Sequence, residues 1–173
     1  MLNRDSLPAT PRPSIRRASA EELLRLWRGR SGGNTPPTAV FFADHIRHEN
    51  AEFWALERSG ELIGELYVFK SLPDRAFADG RTKAYLCAFL VREADRGKGL
   101  GSQLLSAVLA RLKANGFRYA TIGVEKGDEA NLRLYRRHGF SVTIKECRLD
   151  PCFMDEEMRP RACPCFLLLS KTL

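Results

Sequence analysis

The sequence predicts an α/β fold in which a mixed central sheet carries helices on both faces. Residues 84–91 are apolar on both alternations, which indicates a central strand that is buried on both sides. An amphipathic helix follows and ends near Gly116, and the next strand occupies residues 119–124. A β-hairpin precedes this alternating region, with a glycine-containing loop at residues 58–60 between strands at 53–57 and 61–69.

The N-terminal part divides into an arm and the start of one domain. Residues 1–14 are rich in proline and polar residues, which predicts a disordered arm before a single domain at 15–173. We expect a short strand at 15–18. A helix then begins after Ser19, because a serine followed three residues later by Glu22 forms a capping box.

A second helix is predicted over residues 38–50, with Val40, Phe41 and Ile46 facing inward. The glycine- and proline-rich loop at 31–37 suits a flexible lid or a connection on the substrate side.

The C-terminal part is predicted to complete the sheet. A short helix begins after Asp128 and ends at Gly139, and strands follow at 140–144 and 165–169. Between these strands a loop is expected, and the C-terminal cysteines lie in this loop and in the strands that flank it.

Composition limits the function classes. The chain has 173 residues, 44% hydrophobic and 28% charged, which fits one globular domain. Its net charge of +7 comes from dispersed lysines and arginines, so nucleic-acid binding is not favoured as the main role. Five cysteines, an odd number, suit a reducing compartment. The N-terminus lacks the apolar core segment of a signal peptide, and no apolar run is long enough to span a bilayer. With the cysteine count, these features predict a cytoplasmic protein without a membrane partner.

A glycine-rich turn follows the central strand and reads Arg96-x-x-Gly99-x-Gly101. Glycines let the backbone approach a ligand closely, and the following helix start offers unpaired N–H groups and a favourable dipole. A P-loop would need Lys-Ser or Lys-Thr after the last glycine, and the dinucleotide fingerprint has a different glycine spacing. The turn therefore suits a pyrophosphate, or it is a tight turn without a ligand.

A second motif lies about thirty residues further on, where Asn131 and Tyr135 share one face of a short helix. A paired amide and phenol can hold the arm of a cofactor and donate a proton. Alternatively, Asn131 is simply a first-turn residue and Tyr135 anchors the core with its hydroxyl at the edge.

The two motifs in this order, ending in Gly139-Phe140, closely resemble the GNAT superfamily of N-acetyltransferases over residues 84–140. The resemblance implies a mostly antiparallel sheet with a splayed central strand pair and acetyl-CoA as co-substrate. It implies transfer of the acetyl group to a primary amine by direct attack in a ternary complex.

The resemblance also assigns roles to residues. Phe89, Leu90 and Val91 match the segment that pairs with the pantetheine arm, Asn131 matches a contact to that arm, and Tyr135 matches the proton donor to the departing thiolate. The residues that match the pyrophosphate-binding loop are Arg96, Gly97, Lys98, Gly99, Gly101 and Ser102.

A proton acceptor for the attacking amine is required, since an alkyl ammonium is not nucleophilic. The predicted candidates are Glu65 and Glu125, with a solvated surface carboxylate as the alternative reading of each. An acetyl-cysteine intermediate on Cys87 is disfavoured, because a thiol among apolar residues has a raised pKa.

The sequence does not identify the acceptor. Its pocket is expected to come from residues 28–50, 70–83 and 145–165. Six acids suggest a cationic small molecule or a peptide N-terminus: Glu65, Asp74, Asp79, Asp155, Glu156 and Glu157.

Several other interpretations accompany this assignment. The C-terminal cysteines Cys147, Cys152, Cys163 and Cys165 lack paired C-x2-C spacing, so no metal site is predicted. An acyl-CoA-binding module without turnover, or an enzyme that acetylates a protein N-terminus or lysine, stays as an alternative function, and a homodimer is possible.

Overall fold

The computed structural model describes residues 11–173. Seven strands form a single sheet in the order β1-β2-β3-β4-β5-β7-β6, and only β4 and β5 run parallel. The strands are β1 Ser14–Ala18, β2 Ala51–Arg58, β3 Glu61–Phe69, β4 Lys83–Val91, β5 Tyr119–Glu125, β6 Val142–Met154 and β7 Pro160–Thr172. The mixed, mostly antiparallel sheet of the prediction is thereby confirmed. Of the predicted arm at 1–14, residues 1–10 lie outside the described residues, and Ser14 already begins β1.

Four α-helices pack on this sheet, and the two faces have separate cores. The helices are α1 Ala20–Arg30, α2 Pro37–Arg47, α3 Leu100–Ala114 and α4 Glu129–Arg137. One core joins α1 and α2 to Tyr67 and Phe69 of β3, and the other joins α3 and α4 to Leu66 and Val68 of the same strand. Successive side chains of a strand point to opposite faces, so β3 contributes to both cores.

Helix starts follow the predicted capping chemistry. The Ser19 hydroxyl accepts a hydrogen bond from the Glu22 amide, and the Glu22 carboxylate accepts one from the Ser19 amide, which completes the capping box. Asp128 caps α4 by accepting from the amide of Asn131.

The inward face predicted for α2 is wrong in part. Val40 is 46% exposed, whereas Phe42 and Ala43 are buried against the sheet. The helix begins at Pro37 and ends at Arg47. The helix is therefore rotated about its axis relative to the prediction, so that Phe42 rather than Val40 faces the sheet. Phe42 packs among Trp27, Tyr67 and Phe69.

The C-terminal segment also differs from the prediction. The expected loop between the strands at 140–144 and 165–169 is much shorter, because β6 continues to Met154 and β7 begins at Pro160, so that the two strands form a long hairpin. Register shifts interrupt the pairing between Cys147 and Met154, and prolines break the period-two pattern that identifies a strand in sequence. All four C-terminal cysteines therefore lie on strands.

The centre of the sheet opens between β4 and β5. Their pairing ends at Leu86 and Ile122, although β4 continues to pair with β3 and β5 with β7. Beside the opening, Ala88 and Phe89 together stand opposite one residue of β3, and Ala88 has a positive φ of 47°. This β-bulge re-aims the last residues of β4, as bulges beside functional sites commonly do. The splayed central pair is thus present as expected.

Among residues 11–173, no helix is long and apolar enough to cross a bilayer.

Candidate functional site

The turn between β4 and α3 presents a row of backbone donors. Gly97 and Gly99 both have positive φ, and Gly99 caps α3 in the left-handed conformation. The amides from Gly97 to Ser102 make no hydrogen bond with any group in the described part of the chain. Six successive N–H groups at a helix N-terminus suit an anion, because the dipole there favours negative charge.

An ion-pair hub holds this turn in place. Asp95 is buried, and its carboxylate pairs with Arg58 from β2, with Arg92 at 2.6 Å and with Lys98 at 3.5 Å. Hydrogen bonds from Arg92 and Arg58 lower the pKa of Asp95 to about 2. The side chain of Lys98 is thereby directed toward Asp95 and the Ala94 carbonyl. The sequence does not reveal the role of Asp95. One partner, Arg58, comes from β2, and the other two, Arg92 and Lys98, lie on either side of Asp95 in the turn.

A cavity of about 620 Å³ adjoins the turn and gathers most of the predicted cofactor residues. It also contains Arg137 of α4, a second cation that the sequence analysis did not select. Arg96 donates from Nε to the Val91 carbonyl at 2.8 Å, which ties the turn to the end of β4. The predicted residues that line the cavity are Phe89, Leu90, Val91, Arg96, Gly97, Gly99, Gly101, Ser102 and Asn131; Lys98 is absent from the lining.

Close packing of α3 against β4 depends on Gly101. A Cβ atom at this position would lie 3.3 Å from Phe89 Cζ and 3.4 Å from Val91 Cγ2. The missing side chain therefore lets the helix start approach the strand end, so that the free amides and the Phe89–Val91 backbone face the same cavity.

A second cavity, of about 380 Å³, occupies the opening between β4 and β5. It shares Phe89, Asp128 and Asn131 with the first cavity, so the two adjoin. Tyr135 lines it from the α3–α4 face of the sheet, and Tyr85 lines it from the α1–α2 face. The opening therefore connects the two faces of the sheet.

Tyr135 and Asn131 meet at this cavity, as the helix spacing predicts. Tyr135 is 5% exposed and packs against Phe89 and Phe140. Among residues 11–173, no group is hydrogen-bonded to its hydroxyl. Burial, and then the charge of Asp128, raise the pKa of Tyr135, so the phenol stays protonated. Asn131 donates from Nδ2 to the Asp128 carboxylate at 2.7 Å.

The two predicted proton acceptors have different surroundings. Glu65 is 2% exposed, forms an ion pair with Arg30 and accepts a hydrogen bond from the Tyr67 hydroxyl at 3.1 Å. A solvated surface position is therefore wrong for Glu65, and its pKa is raised by burial against the opposing effect of Arg30. Glu65 lines neither cavity. Glu125 is exposed at the end of β5 and lines the 380 Å³ cavity.

The acids expected on the acceptor side do not gather at this cavity. None of the six contributes to its lining. Asp74 pairs with Lys145, Asp79 accepts hydrogen bonds from backbone amides of its own turn, and Asp155 does the same at the tip of the β6–β7 hairpin. The hairpin does contribute walls, as expected for 145–165, but residues 28–50 and 70–83 do not.

Asp150 is a candidate site residue that the sequence analysis did not select. It lies on β6, lines the 380 Å³ cavity and accepts a hydrogen bond from the Tyr85 hydroxyl at 2.9 Å. The only sequence signal is a carboxylate before Pro151 in a stretch that reads as irregular. Cys87 also lines the cavity, and burial raises the pKa of its thiol. In the described part of the chain, no three His, Cys, Asp or Glu side chains are placed to hold a metal ion.

Comparison with known proteins identifies this arrangement. A model of the acetyltransferase (GNAT) family matches residues 18–140. The chain therefore belongs to the GNAT family of acetyltransferases, which confirms the predicted family, the enzyme class and acetyl-CoA as co-substrate.

The curated relatives are acetyltransferases with different acceptors, so they do not identify the acceptor of this chain. An L-methionine sulfoximine/L-methionine sulfone acetyltransferase from Pseudomonas paraeruginosa is 32% identical over 120 residues, which cover 64% of this chain and 69% of the relative. A mycothiol acetyltransferase from Acidimicrobium ferrooxidans is 35% identical over 92 residues, covering 53% of this chain and 23% of that protein.

Solved structures share the fold at low sequence identity. Arabidopsis thaliana NAA60 in complex with acetyl-CoA has a TM-score of 0.67 and 17% identity, covering 94% of this chain and 99% of that one. A GNAT acetyltransferase from Elizabethkingia anophelis with acetyl-CoA bound has a TM-score of 0.59 and 18% identity, with 93% and 98% coverage.

Proposed function

We propose that this enzyme transfers the acetyl group of acetyl-CoA to a primary amine by direct attack in a ternary complex. The observation that carries the proposal is the opening between β4 and β5. It joins a row of free backbone donors to a cavity that contains an unpartnered phenol. Acetyl-CoA supplies an activated thioester carbonyl.

The chain's own groups suit the two ends of the co-substrate. The free amides from Gly97 to Ser102, with Arg96, offer donors for a pyrophosphate. The Phe89–Val91 backbone at the splayed end of β4 offers pairing groups for an amide-containing arm. Asn131 lies where both cavities adjoin and could contact that arm.

Tyr135 is proposed as the hydrogen-bond donor to the departing sulfur. Its side chain lines the cavity, its hydroxyl has no hydrogen-bond partner among residues 11–173, and its raised pKa keeps the proton on oxygen. Direct transfer is favoured over an acetyl-cysteine intermediate, because a thiol with a raised pKa, as at Cys87, holds little thiolate at neutral pH.

The acceptors to test first are those of the bacterial relatives, L-methionine sulfoximine and L-methionine sulfone. Each carries an amine and a carboxylate, and Arg161 of β7 lines the same cavity as a cation that is exposed to solvent. A peptide with a free N-terminus and a lysine peptide represent the alternative of protein acetylation. A homodimer and a cytoplasmic location stay predictions from the sequence.

The test combines binding with turnover. Acetyl-CoA should raise the melting temperature of the wild-type protein, because it binds only the native state, and Arg96→Ala should reduce this shift. Release of free CoA thiol is then followed across the acceptor panel. A shift without acceptor-dependent thiol release would instead indicate an acyl-CoA-binding module. If acetyl-CoA at saturating concentration produces no shift, the glycine turn is not the cofactor site and the proposal fails.

A further inference from the structure

Asp150 is held rigidly at the wall of the 380 Å³ cavity. Its Oδ2 accepts from the Tyr85 hydroxyl at 2.9 Å, and its Oδ1 accepts from the Cys152 amide at 2.9 Å. A carboxylate has about four acceptor sites, so each oxygen retains capacity for a donor from the cavity side. The carboxylate is half-buried and forms no ion pair with a residue in the described part of the chain.

The position of Asp150 is complementary to that of Tyr135. Tyr85 and Cys152, which fix the carboxylate, belong to the core on the α1–α2 face, whereas Tyr135 belongs to the core on the α3–α4 face. Both Asp150 and Tyr135 line the one cavity that passes between β4 and β5. A proton acceptor and a proton donor therefore face the cavity from opposite sides of the sheet.

We propose that Asp150 is the carboxylate that binds the acceptor's ammonium group in this cavity and takes its proton before acetyl transfer. This inference rests on the proposed function. It assigns a catalytic role to a residue that neither motif contains, and it defines the acceptor as an amine that enters from the α1–α2 face.

The step balances as follows. The ammonium nitrogen gives one proton to the Asp150 carboxylate, and the neutral nitrogen forms a bond to the thioester carbonyl carbon. The carbon–sulfur bond then breaks and its electron pair goes to sulfur. The nitrogen loses a second proton and the sulfur gains one, with the Tyr135 hydroxyl as hydrogen-bond donor at the sulfur. Asp150 returns its proton to solvent, so the net products are amide, CoA thiol and one proton.

The surroundings of Asp150 raise the basicity of its carboxylate. Burial raises the pKa of Asp150, while the hydrogen bonds from Cys152 and Tyr85 oppose that increase. A carboxylate with a raised pKa is a stronger base than one in water. The titratable or charged groups that face it or share its cavity wall are Tyr85, Cys87, Glu125, Asp128, Tyr135, Cys147, Cys152, Arg161 and Cys163.

The two carboxylates selected from sequence fit this role less well. Glu65 is occupied by Arg30 and Tyr67 and lines neither cavity. Glu125 lines the cavity but is exposed to solvent at the end of its strand. Of the three carboxylates Glu65, Glu125 and Asp150, only Asp150 combines partial burial, fixed orientation and a place in the cavity wall.

The test measures kcat/KM against pH with an acceptor that the wild-type protein turns over, beginning with L-methionine sulfoximine. Asp150→Asn should lower kcat/KM by about 100-fold, the lower range for loss of a general base, and should remove the acidic limb of the profile. The melting-temperature shift with acetyl-CoA should be unchanged. Glu156→Gln, an exposed amide substitution on the same hairpin, is the matched control and should match the wild type.

Tyr85→Phe separates a base from a merely structural carboxylate. The Tyr85 hydrogen bond lowers the pKa of Asp150, so its removal should move the acidic limb to higher pH while the rate at the plateau is largely kept. A limb that stays in place in Tyr85→Phe and in Asp150→Asn would overturn the proposal. So would loss of the limb in Glu125→Gln, which would assign the base to Glu125.

Failure of this inference differs from failure of the proposed function. A wild-type protein that binds acetyl-CoA but releases no thiol with any amine contradicts acetyl transfer itself. An active wild type with an equally active Asp150→Asn variant contradicts only the role of Asp150.

Discussion

Tyr135 shows how two requirements on one side chain can coexist. Its ring packs between Phe89 and Phe140 like a core residue, while its hydroxyl faces a cavity without a partner in residues 11–173. The two interpretations that the sequence left open, a core anchor and a functional phenol, are therefore compatible. An aromatic ring supplies the packing, and its polar tip remains available for chemistry.

Tyr135→Phe should lower kcat at least tenfold and leave the melting temperature within a few degrees of wild type. The ring contacts are kept, and removing a hydroxyl that has no partner leaves no buried group unsatisfied. Steady-state kinetics and thermal melting measure the two effects. The control is Tyr119→Phe. Tyr119 is the first residue of β5, away from the end of the strand that lines the 380 Å³ cavity, and it lines neither cavity. Equal kcat in the two variants would contradict a role for the Tyr135 hydroxyl.

At the scale of elements, the sequence predicted most where the information is local. The Ser19 capping box, the Asp128 cap and the glycine turn each depend on residues a few positions apart, and each is present. The burial of Glu65 escaped prediction because its partner, Arg30, is 35 residues away. The Asp95 hub escaped for the same reason, since Arg58 reaches it from another strand.

The Asp95 hub should control both the glycine turn and acid stability. Asp95→Asn should raise the Kd for acetyl-CoA several-fold, because Arg58 and Arg92 lose the charge that fixes the turn. The pKa of Asp95 is about 2 in the folded protein, below the unfolded value of about 3.9, so its stabilisation is present above pH 4 and is lost as pH falls toward 2.

Melting temperatures between pH 2 and 6 measure this effect. The wild type should lose more stability over that range than Asp95→Asn, and Glu93→Gln, an exposed carboxylate in the same turn, should behave as wild type. Parallel curves for wild type and Asp95→Asn would contradict the assignment.

At the scale of the whole molecule, the β6–β7 hairpin was the hardest part to predict. Its prolines and register shifts hide the alternation of a strand, and its pairing partners lie across the hairpin. Consequently Asp150 could not be placed in a site from sequence, whereas the proposed cofactor side, most of which comes from residues 89–102, could be proposed residue by residue. The hairpin is also attached to α2 by Thr38, whose Oγ1 accepts from the Met154 amide at 2.9 Å.

Thr38→Val should loosen the hairpin from the rest of the domain. The valine keeps the side-chain shape but leaves the buried Met154 amide without its acceptor, which costs about 1–3 kcal/mol. We expect a lower melting temperature and a higher KM for the amine, with the acetyl-CoA shift preserved. Thr143→Val, at an exposed position on β6, is the matched control. A raised Kd for acetyl-CoA in Thr38→Val would show that the two sides of the site are not independent.

The division of the opening between two faces has an evolutionary consequence. The donor side lies within residues 18–140, the part that the family model matches, whereas Asp150, Phe153 and Arg161 come from the hairpin beyond it. Descendants of one ancestor can therefore inherit the acetyl-donor half nearly unchanged while mutations in a single terminal hairpin select new amines. Exchanging residues 142–172 between relatives would test whether this hairpin determines which amine is acetylated.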